Sequence, residues 1–95
     1  MMQMSQFLSQ RQENLMSFVD GELEMADDFM EDASVYLQLR RFFSAVESLQ
    51  NASEAMNIAE WHLSQIKETS HLLRYQCNIR TARERLHTLE QSIPQ

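Results

Sequence analysis

Residues 51–93 read NASEAMNIAEWHLSQIKETSHLLRYQCNIRTARERLHTLEQSI and contain neither glycine nor proline. Those two residue types are the ones that most strongly disfavour a helix interior. Apolar side chains recur at intervals of three and four along the run, which predicts a single long helix over about residues 52–92. At the helical rise of 1.5 Å per residue such a helix is roughly 60 Å long. It therefore needs more than one short neighbour to cover it.

The predicted long helix carries two apolar stripes rather than one. The first stripe contains Ala59, Leu63, Ile66, Ser70, Leu73 and Cys77. The second, offset stripe contains Leu72, Tyr75, Ile79, Ala82, Leu86, Leu89 and Ile93. Because the apolar face turns around the helix between them, we expect the two halves to meet different neighbours. The N-terminal half should pack on the preceding helix, and the arginine-bearing C-terminal half should meet the first segment or another chain.

Two further helices are predicted upstream of the long one. Asp32 is a suitable N-cap for a helix over residues 33–50, and Asn51 with Glu54 forms a capping box for the long helix. The middle helix carries a heptad seam. That seam consists of Val35, Leu39, Phe42, Val46 and Leu49.

Residues 4–30 form the first predicted helix, in which apolar residues recur at intervals of three, four and seven. Gly21 lies inside it, and an interior glycine costs a helix about 1 kcal/mol relative to alanine. The sequence leaves open whether this helix bends or breaks at Gly21 or continues through it.

The composition favours helices throughout the chain. Gly21 and Pro94 are the only residues of their types, so the chain lacks the turn residues that join short strands. We predict one all-α domain over residues 1–95, either an antiparallel helical hairpin or a three-helix, coiled-coil-like bundle with a long C-terminal helix. Such a thin bundle leaves apolar surface uncovered, so we also expect it to be dimeric or bound to a partner.

Charge is unevenly distributed along the chain, whose formal net charge is −6. Residues 20–32 hold seven carboxylates and no Lys or Arg, whereas the C-terminal third carries Arg74, Arg80, Arg83 and Arg85. This asymmetry favours antiparallel packing of the acidic segment against the arginine-rich end, within one chain or across a dimer. A net acidic chain repels phosphate groups, so we expect no nucleic-acid partner.

Other classes of protein are disfavoured by what the sequence lacks. No apolar run approaches the roughly 20 residues of a membrane-spanning helix, and the N-terminus does not have the charged and apolar regions of a secretory signal. We therefore expect a cytoplasmic protein that does not bind a membrane. Cys77 is the only cysteine, which rules out a disulfide within the chain and a cysteine-based zinc site.

One pattern is typical of metal sites. A Glu-x-x-His step occurs at Glu68 with His71 and again at Glu84 with His87. Carboxylate-bridged di-iron bundles use this spacing, but they place the two steps on facing helices and add two more glutamates. Both steps here lie on one predicted helix, which favours ordinary solvated side chains. We predict no catalytic, cofactor-binding or metal-ligating residues and hence no enzyme, with a helical metalloprotein as an alternative.

Trp61 and the seven methionines each allow two interpretations. A tryptophan near an apolar stripe serves either as an interface anchor or as part of the internal core. Methionine suits surfaces that repack around several partners, and it also fills ordinary core gaps.

Residues 15–23, LMSFVDGEL, resemble the opening of bacterial anti-sigma factor domains, which often begin with a short helix ending in a similar Asp-Gly-Glu turn. The resemblance implies that the first two helices clasp a sigma factor and that Asp20, Gly21 and Glu22 shape the turn between them. The histidine and paired cysteines of the zinc-binding branch of that family are absent from this chain. An anti-sigma-like regulator is therefore a second functional hypothesis.

In size, acidity and amphipathic helical hairpins the chain is similar to the small cytosolic chaperones of bacterial secretion and flagellar systems. Those proteins hold a helical export substrate in a coiled-coil groove. This analogy gives the leading hypothesis, a non-enzymatic chaperone or adaptor that binds a helical protein partner, a second copy of itself, or both. The predicted partner-binding residues are Val35, Leu39, Phe42, Val46, Leu49, Leu63, Ile66, Leu73, Leu86 and Leu89.

Overall fold

Helices account for nearly all of the described chain, as its lack of turn residues predicts. The computed structural model describes residues 2–66 and 69–94, with side chains described over 10–66 and 72–94. Within those ranges the chain forms three α-helices and no strand: α1 (Met2–Gln38), α2 (Phe42–Leu63) and α3 (Thr69–Gln91). The prediction of an all-α, three-helix fold is confirmed.

The first helix is longer than predicted. α1 continues through Gly21 and through the boundary predicted at residues 30–33, so Asp32 is not an N-cap. Met30 and Ala33 on either side of Asp32 are 1% and 0% exposed, and burial of this stripe stabilises the helix across it. Gly21 is tolerated as an ordinary helical residue, with open space where a Cβ would lie. The anti-sigma resemblance implies a turn at Asp20, Gly21 and Glu22, and that prediction is wrong because all three lie inside α1.

A tight turn at residues 39–41 ends α1. Arg40 adopts a left-handed conformation with φ of 59°, and its N–H donates to Leu37 O over 3.1 Å. The Arg41 N–H reaches back to Tyr36 O over 2.8 Å. These two bonds form a Schellman motif, which normally has glycine at the left-handed position. Because arginine occupies it here, no residue typical of a helix end marks this turn in the sequence.

The turn divides the predicted heptad seam between two helices. Val35 lies on α1 and Leu39 in the turn, whereas Phe42, Val46 and Leu49 lie on α2. The prediction that these five residues form one helix face is wrong, because the chain reverses direction between the second and the third of them.

The helix start predicted at Asn51 is also wrong, because residues 51–54 lie in the middle of α2. Ala52 and Ala55 are 0% and 3% exposed there. The packing of this alanine stripe against the rest of the fold overrides a local capping signal, which contributes only about 1 kcal/mol.

The long helix predicted over 52–92 does not exist as one piece, because α2 ends at Leu63 and α3 begins at Thr69. At the end of α2, the Ser64 hydroxyl donates to Trp61 O over 2.5 Å. The Gln65 and Ile66 N–H groups donate to carbonyls three residues back, each over 3.0 Å. These three-residue bonds tighten the last turn and terminate the helix without glycine or proline. The longest helix is α1, with 37 residues.

α1 and α2 form an antiparallel hairpin and make the most extensive helix contact in the fold. Five fully buried alanines at seven-residue spacing lie along it: Ala26 and Ala33 on α1, and Ala45, Ala52 and Ala59 on α2. Small side chains let two helix axes approach closely. The alanines therefore explain why this pair packs more closely than either helix packs on α3.

The core divides into two clusters along the bundle. The cluster nearer the 39–41 turn contains Ala26, Met30, Ala33, Leu49, Ala52, Ala55, Met56 and Leu86. The cluster at the other end contains Val19, Ala59, Leu63, Ile66, Tyr75 and Ile79. Each cluster includes residues from all three helices, so α3 belongs to the core along much of its length. The two methionines in the first cluster act as core filler.

α3 runs parallel to α1 and antiparallel to α2. The Tyr75 hydroxyl donates to Asp20 over 3.2 Å. Further towards the C-terminal ends of both helices, Arg85 donates to Asp27. The predicted attraction between the acidic segment and the arginines is therefore present within one chain, but the predicted antiparallel direction is wrong. Two chain reversals between α1 and α3 restore the original direction. The resulting bundle measures 59 × 18 × 15 Å.

Candidate interaction surface

Four of the ten predicted partner-binding residues lie inside the chain's own core. They are Leu49, Leu63, Ile66 and Leu86, each between 4% and 7% exposed. Their side chains pack against other parts of the same chain, so in this conformation they have little surface to offer a partner. The periodicity that selected them does identify buried positions.

The other six predicted residues are partly or largely exposed. Phe42, Val46 and Leu89 are half-buried. Val35, Leu39 and Leu73 are exposed, with Leu73 at 72%. The structure does not bring the exposed three together, because Val35 and Leu39 lie around the 39–41 turn while Leu73 lies in the early part of α3.

A cluster of aromatic rings lies between α1 and α2, at the opposite end of the hairpin from the 39–41 turn. None of the predicted apolar stripes indicates it. The Phe18 ring stacks on the His62 ring with centroids 5.3 Å apart and planes 10° apart. Trp61 meets His62 edge to face at 5.1 Å. Yet Phe18 and Trp61 remain 57% and 62% exposed. Two large apolar rings are thus held in defined positions but left largely open to solvent.

The orientation of His62 is fixed by the backbone of α2. Its Nδ1–H donates to Ile58 O over 3.0 Å, because a carbonyl oxygen can only accept. His62 therefore acts as a spacer that positions the Phe18 and Trp61 rings on either side of it.

Two more exposed apolar side chains extend this cluster along the hairpin. Met25 lies seven residues, or two helical turns, after Phe18 on α1 and is 48% exposed. Ile58 lies one turn before His62 on α2 and is 44% exposed. We call the surface formed by Phe18, Met25, Ile58, Trp61 and His62 the aromatic face. Its seven- and four-residue spacings are visible in the sequence, but they lie beside the main apolar stripes and were not selected.

Arginines of α3 neutralise carboxylates on one side of the hairpin. Arg85 donates to Asp27, and its Nη2 lies 4.0 Å from Glu31 Oε1. Arg83 donates to Glu60 over 2.5 Å. All three carboxylates are at least 44% exposed, so these pairs contribute little to stability and chiefly set the local charge balance.

The carboxylates around the aromatic face have no such partners. Glu22, Asp28 and Glu54 each lie one helical turn from an apolar residue of the face. Asp32 on α1 and Glu47 on α2 lie further along the hairpin, towards the 39–41 turn. Among the described residues, none of these five forms an ion pair. Residues 12–39 and 42–66 contain no Lys or Arg at all. The aromatic face is therefore apolar at its centre and bordered mainly by carboxylates, with one positive charge at the end formed by Phe18, Trp61 and His62, where Arg11 lines the same depression.

The metal hypothesis gains no geometric support from the part of the chain that is described. Glu84 and His87 are exposed on α3, and no three His, Cys, Asp or Glu residues of the described ranges converge as a metal site. Glu68 and the His71 side chain lie outside the described residues, so the first Glu-x-x-His step stays a prediction. Cys77 is exposed rather than a core residue.

A second depression lies between α2 and α3. Its floor includes Leu63 and Ile79, and Arg80, Glu84 and His87 stand along its rim. Its two apolar residues are only 7% and 6% exposed. The edges of this groove carry both signs of charge, so it does not select the charge of a partner.

No known protein family, curated protein or solved structure matches this sequence. The surface must therefore be interpreted from its own chemistry. As for membranes, none of the helices in the described ranges combines the length and the apolar content that a membrane crossing requires.

Proposed function

We propose that this chain is a non-enzymatic helical interaction module, a small acidic chaperone or adaptor that holds a helical partner. The observation that carries the proposal is that Phe18 and Trp61, 57% and 62% exposed, are held on either side of the His62 ring. Tryptophan and other aromatic side chains dominate the energetics of protein interfaces, and exposed clusters of them are uncommon on proteins that act alone.

The energy available at this surface is substantial. A tryptophan buries up to about 250 Å², and Trp61 is 62% exposed. Covering its free surface at about 25 cal/mol per Å² is worth up to roughly 4 kcal/mol. Phe18 adds a smaller amount of the same kind. Because association costs about 4–15 kcal/mol in lost translational and rotational freedom, a partner must also make contacts along the hairpin beyond the two rings.

A different protein fits this surface better than a second copy of the chain. Two copies meeting through their aromatic faces would bring the carboxylates around each face close together, and like charges across an interface oppose association.

Selection from a library of helical peptides tests this function. The folded protein serves as bait, and the enriched peptides are measured by titration calorimetry against scrambled peptides of the same composition. We expect enriched sequences to share an apolar stripe at helical spacing and to bind with Kd of about 1–50 μM. Enrichment of extended sequences only, or equal binding of the scrambled peptides, would contradict the proposal.

A further inference from the structure

We infer that the aromatic face is a docking groove for one amphipathic helix whose apolar stripe is flanked by lysine or arginine, so that the bound partner completes a four-helix bundle. This inference rests on the proposed function and gives it a location and a partner chemistry. The partner is another protein chain rather than a second copy of this one.

The aromatic face lies on the side of the hairpin away from α3. On α1, Asp27 contacts Arg85 of α3. Nine residues at about 100° each separate Phe18 from Asp27, so the two side chains leave α1 on opposite sides. Met25 differs from Asp27 by two residues, or about 200°, and therefore lies near Phe18.

The same relation holds on α2. Glu60 pairs with Arg83 of α3 over 2.5 Å. Ile58 and His62 each lie two residues from Glu60, about 200° in opposite senses around the helix. Both therefore point away from α3, and the Phe18–His62 stack joins α1 and α2 on this side of the hairpin. α3 covers one side of the hairpin and leaves the other for a fourth helix.

The shape of the surface suits a helix of about three turns. Phe18 and Met25 are two turns apart on α1, about 10 Å along the axis. Trp61 and Ile58 provide matching contacts on α2, and all four are between 44% and 62% exposed. A partner helix lying along the hairpin would insert residues at positions i, i+3 or i+4, and i+7 between them.

Charge selects the kind of helix. Most of the groove is edged by carboxylates that form no ion pair among the described residues, namely Glu22, Asp28, Asp32, Glu47 and Glu54, and Arg11 lies at its Phe18 end. The described arginines of α3 that pair with carboxylates do so on the other side of the hairpin. Lysine or arginine beside the apolar stripe of a partner would pair with these groups and speed its association at low salt. An acidic helix of the same shape would be repelled.

Binding of synthetic helices, followed through tryptophan fluorescence, tests the inference directly. Trp61 is the only tryptophan and lies in the proposed groove. The probes are two peptides of about eighteen residues with the same leucine stripe, one flanked by lysine and the other by glutamate. We expect a blue shift on adding the lysine peptide, and at least about tenfold weaker binding of the glutamate peptide, with the difference shrinking as salt is added.

Variants of exposed residues locate the site. Phe18→Ala should weaken binding of the lysine peptide at least about tenfold. Leu73→Ala is the matched control, because Leu73 is even more exposed, at 72%, but lies on α3; it should change Kd less than about twofold. Glu54→Lys should weaken binding of the lysine peptide. Glu90→Lys makes the same charge change on α3 and should leave binding unchanged. Circular dichroism melts of all four variants confirm that each is folded.

Several results would overturn the inference. Equal binding of the lysine and glutamate peptides would remove the charge argument, and a loss caused by Leu73→Ala but not by Phe18→Ala would place the site elsewhere; in both cases the proposed function would survive. A blue shift that grows with protein concentration alone would show that a second copy occupies the groove. If neither peptide binds and the library selection also fails, the proposed function fails with it.

Discussion

Tyr75 has the largest side chain among the fully buried residues of the described core, at 1% exposed. Its hydroxyl donates to Asp20 over 3.2 Å and accepts from Arg74 over 3.3 Å. Burial, which disfavours the phenolate, is the main reason that its pKa is raised above the ordinary value of 10.0. Asp20 raises this pKa further, while Arg74 acts in the opposite direction. One polar group thus links α1 and α3 inside an apolar cluster.

The raised pKa makes the stability of the fold sensitive to alkaline pH. Because the folded pKa of Tyr75 exceeds its unfolded value, its contribution is complete below about pH 10 and is lost as the pH rises through the folded pKa. Tyr75→Phe removes the ionisable group. We expect wild type to lose more stability than Tyr75→Phe between about pH 9 and pH 11 in urea unfolding. Equal losses in both proteins would show that the phenol is not responsible.

Two leucines on α3 distinguish burial from mere periodicity. Leu86 is 4% exposed and Leu73 is 72% exposed, although both lie on apolar stripes of the sequence. Leu86→Ala should lower the free energy of unfolding by about 2–5 kcal/mol, because it opens a cavity in the core. Leu73→Ala should change it by no more than about 0.5 kcal/mol. Comparable losses for the two variants in chemical denaturation would contradict the burial pattern.

At the scale of the helix, the ends proved harder to predict than the helices themselves. Intervals of three and four correctly indicated helices, but Leu49, Leu63 and Leu86, which they predicted as partner-binding residues, lie in the chain's own core. The C-terminal ends of α1 and α2 contain no glycine or proline, so the sequence has no ordinary stop signal at either of them. The break between α2 and α3 falls inside the first predicted stripe, whose members are divided between the two helices, whereas the second stripe lies on α3 and beyond its end.

The same physics explains the false helix start at Asn51. A capping box acts over a few residues, whereas the buried alanine stripe of α2 packs against α1 over the whole hairpin. Tertiary packing therefore outweighs the local signal. The aromatic face was missed for a related reason, because its members come from two helices and only the fold brings Phe18 against His62.

The Arg40 turn offers a direct test of how α1 ends. A non-glycine residue in the left-handed region is disfavoured by about 1–2 kcal/mol, and Arg40 has φ of 59°. Arg40→Gly should raise stability by about 1 kcal/mol, after part of the gain is lost to the greater freedom of glycine in the unfolded chain. Arg40→Ala keeps the Cβ and serves as the control for removing the charge. A loss of stability in Arg40→Gly, measured by thermal unfolding, would contradict the assigned turn.

At the scale of the whole molecule, charge and apolar surface are distributed unequally around the bundle. α3 brings Arg83 and Arg85 to one side of the α1–α2 hairpin and pairs them with carboxylates there. The other side keeps its carboxylates unpaired among the described residues, and it exposes Phe18 and Trp61 between them. Composition predicted the net charge and the helical class, but this asymmetry depends on where α3 packs.

The central claim is that a helical partner binds the aromatic face opposite α3. The most direct measurement is a two-dimensional NMR titration of the labelled protein with the lysine-flanked helix. The account predicts that the largest shift changes fall on Phe18, Met25, Ile58 and Trp61, with residues of α3 little affected. Shift changes centred instead on Leu63 and Ile79, in the groove between α2 and α3, would contradict it.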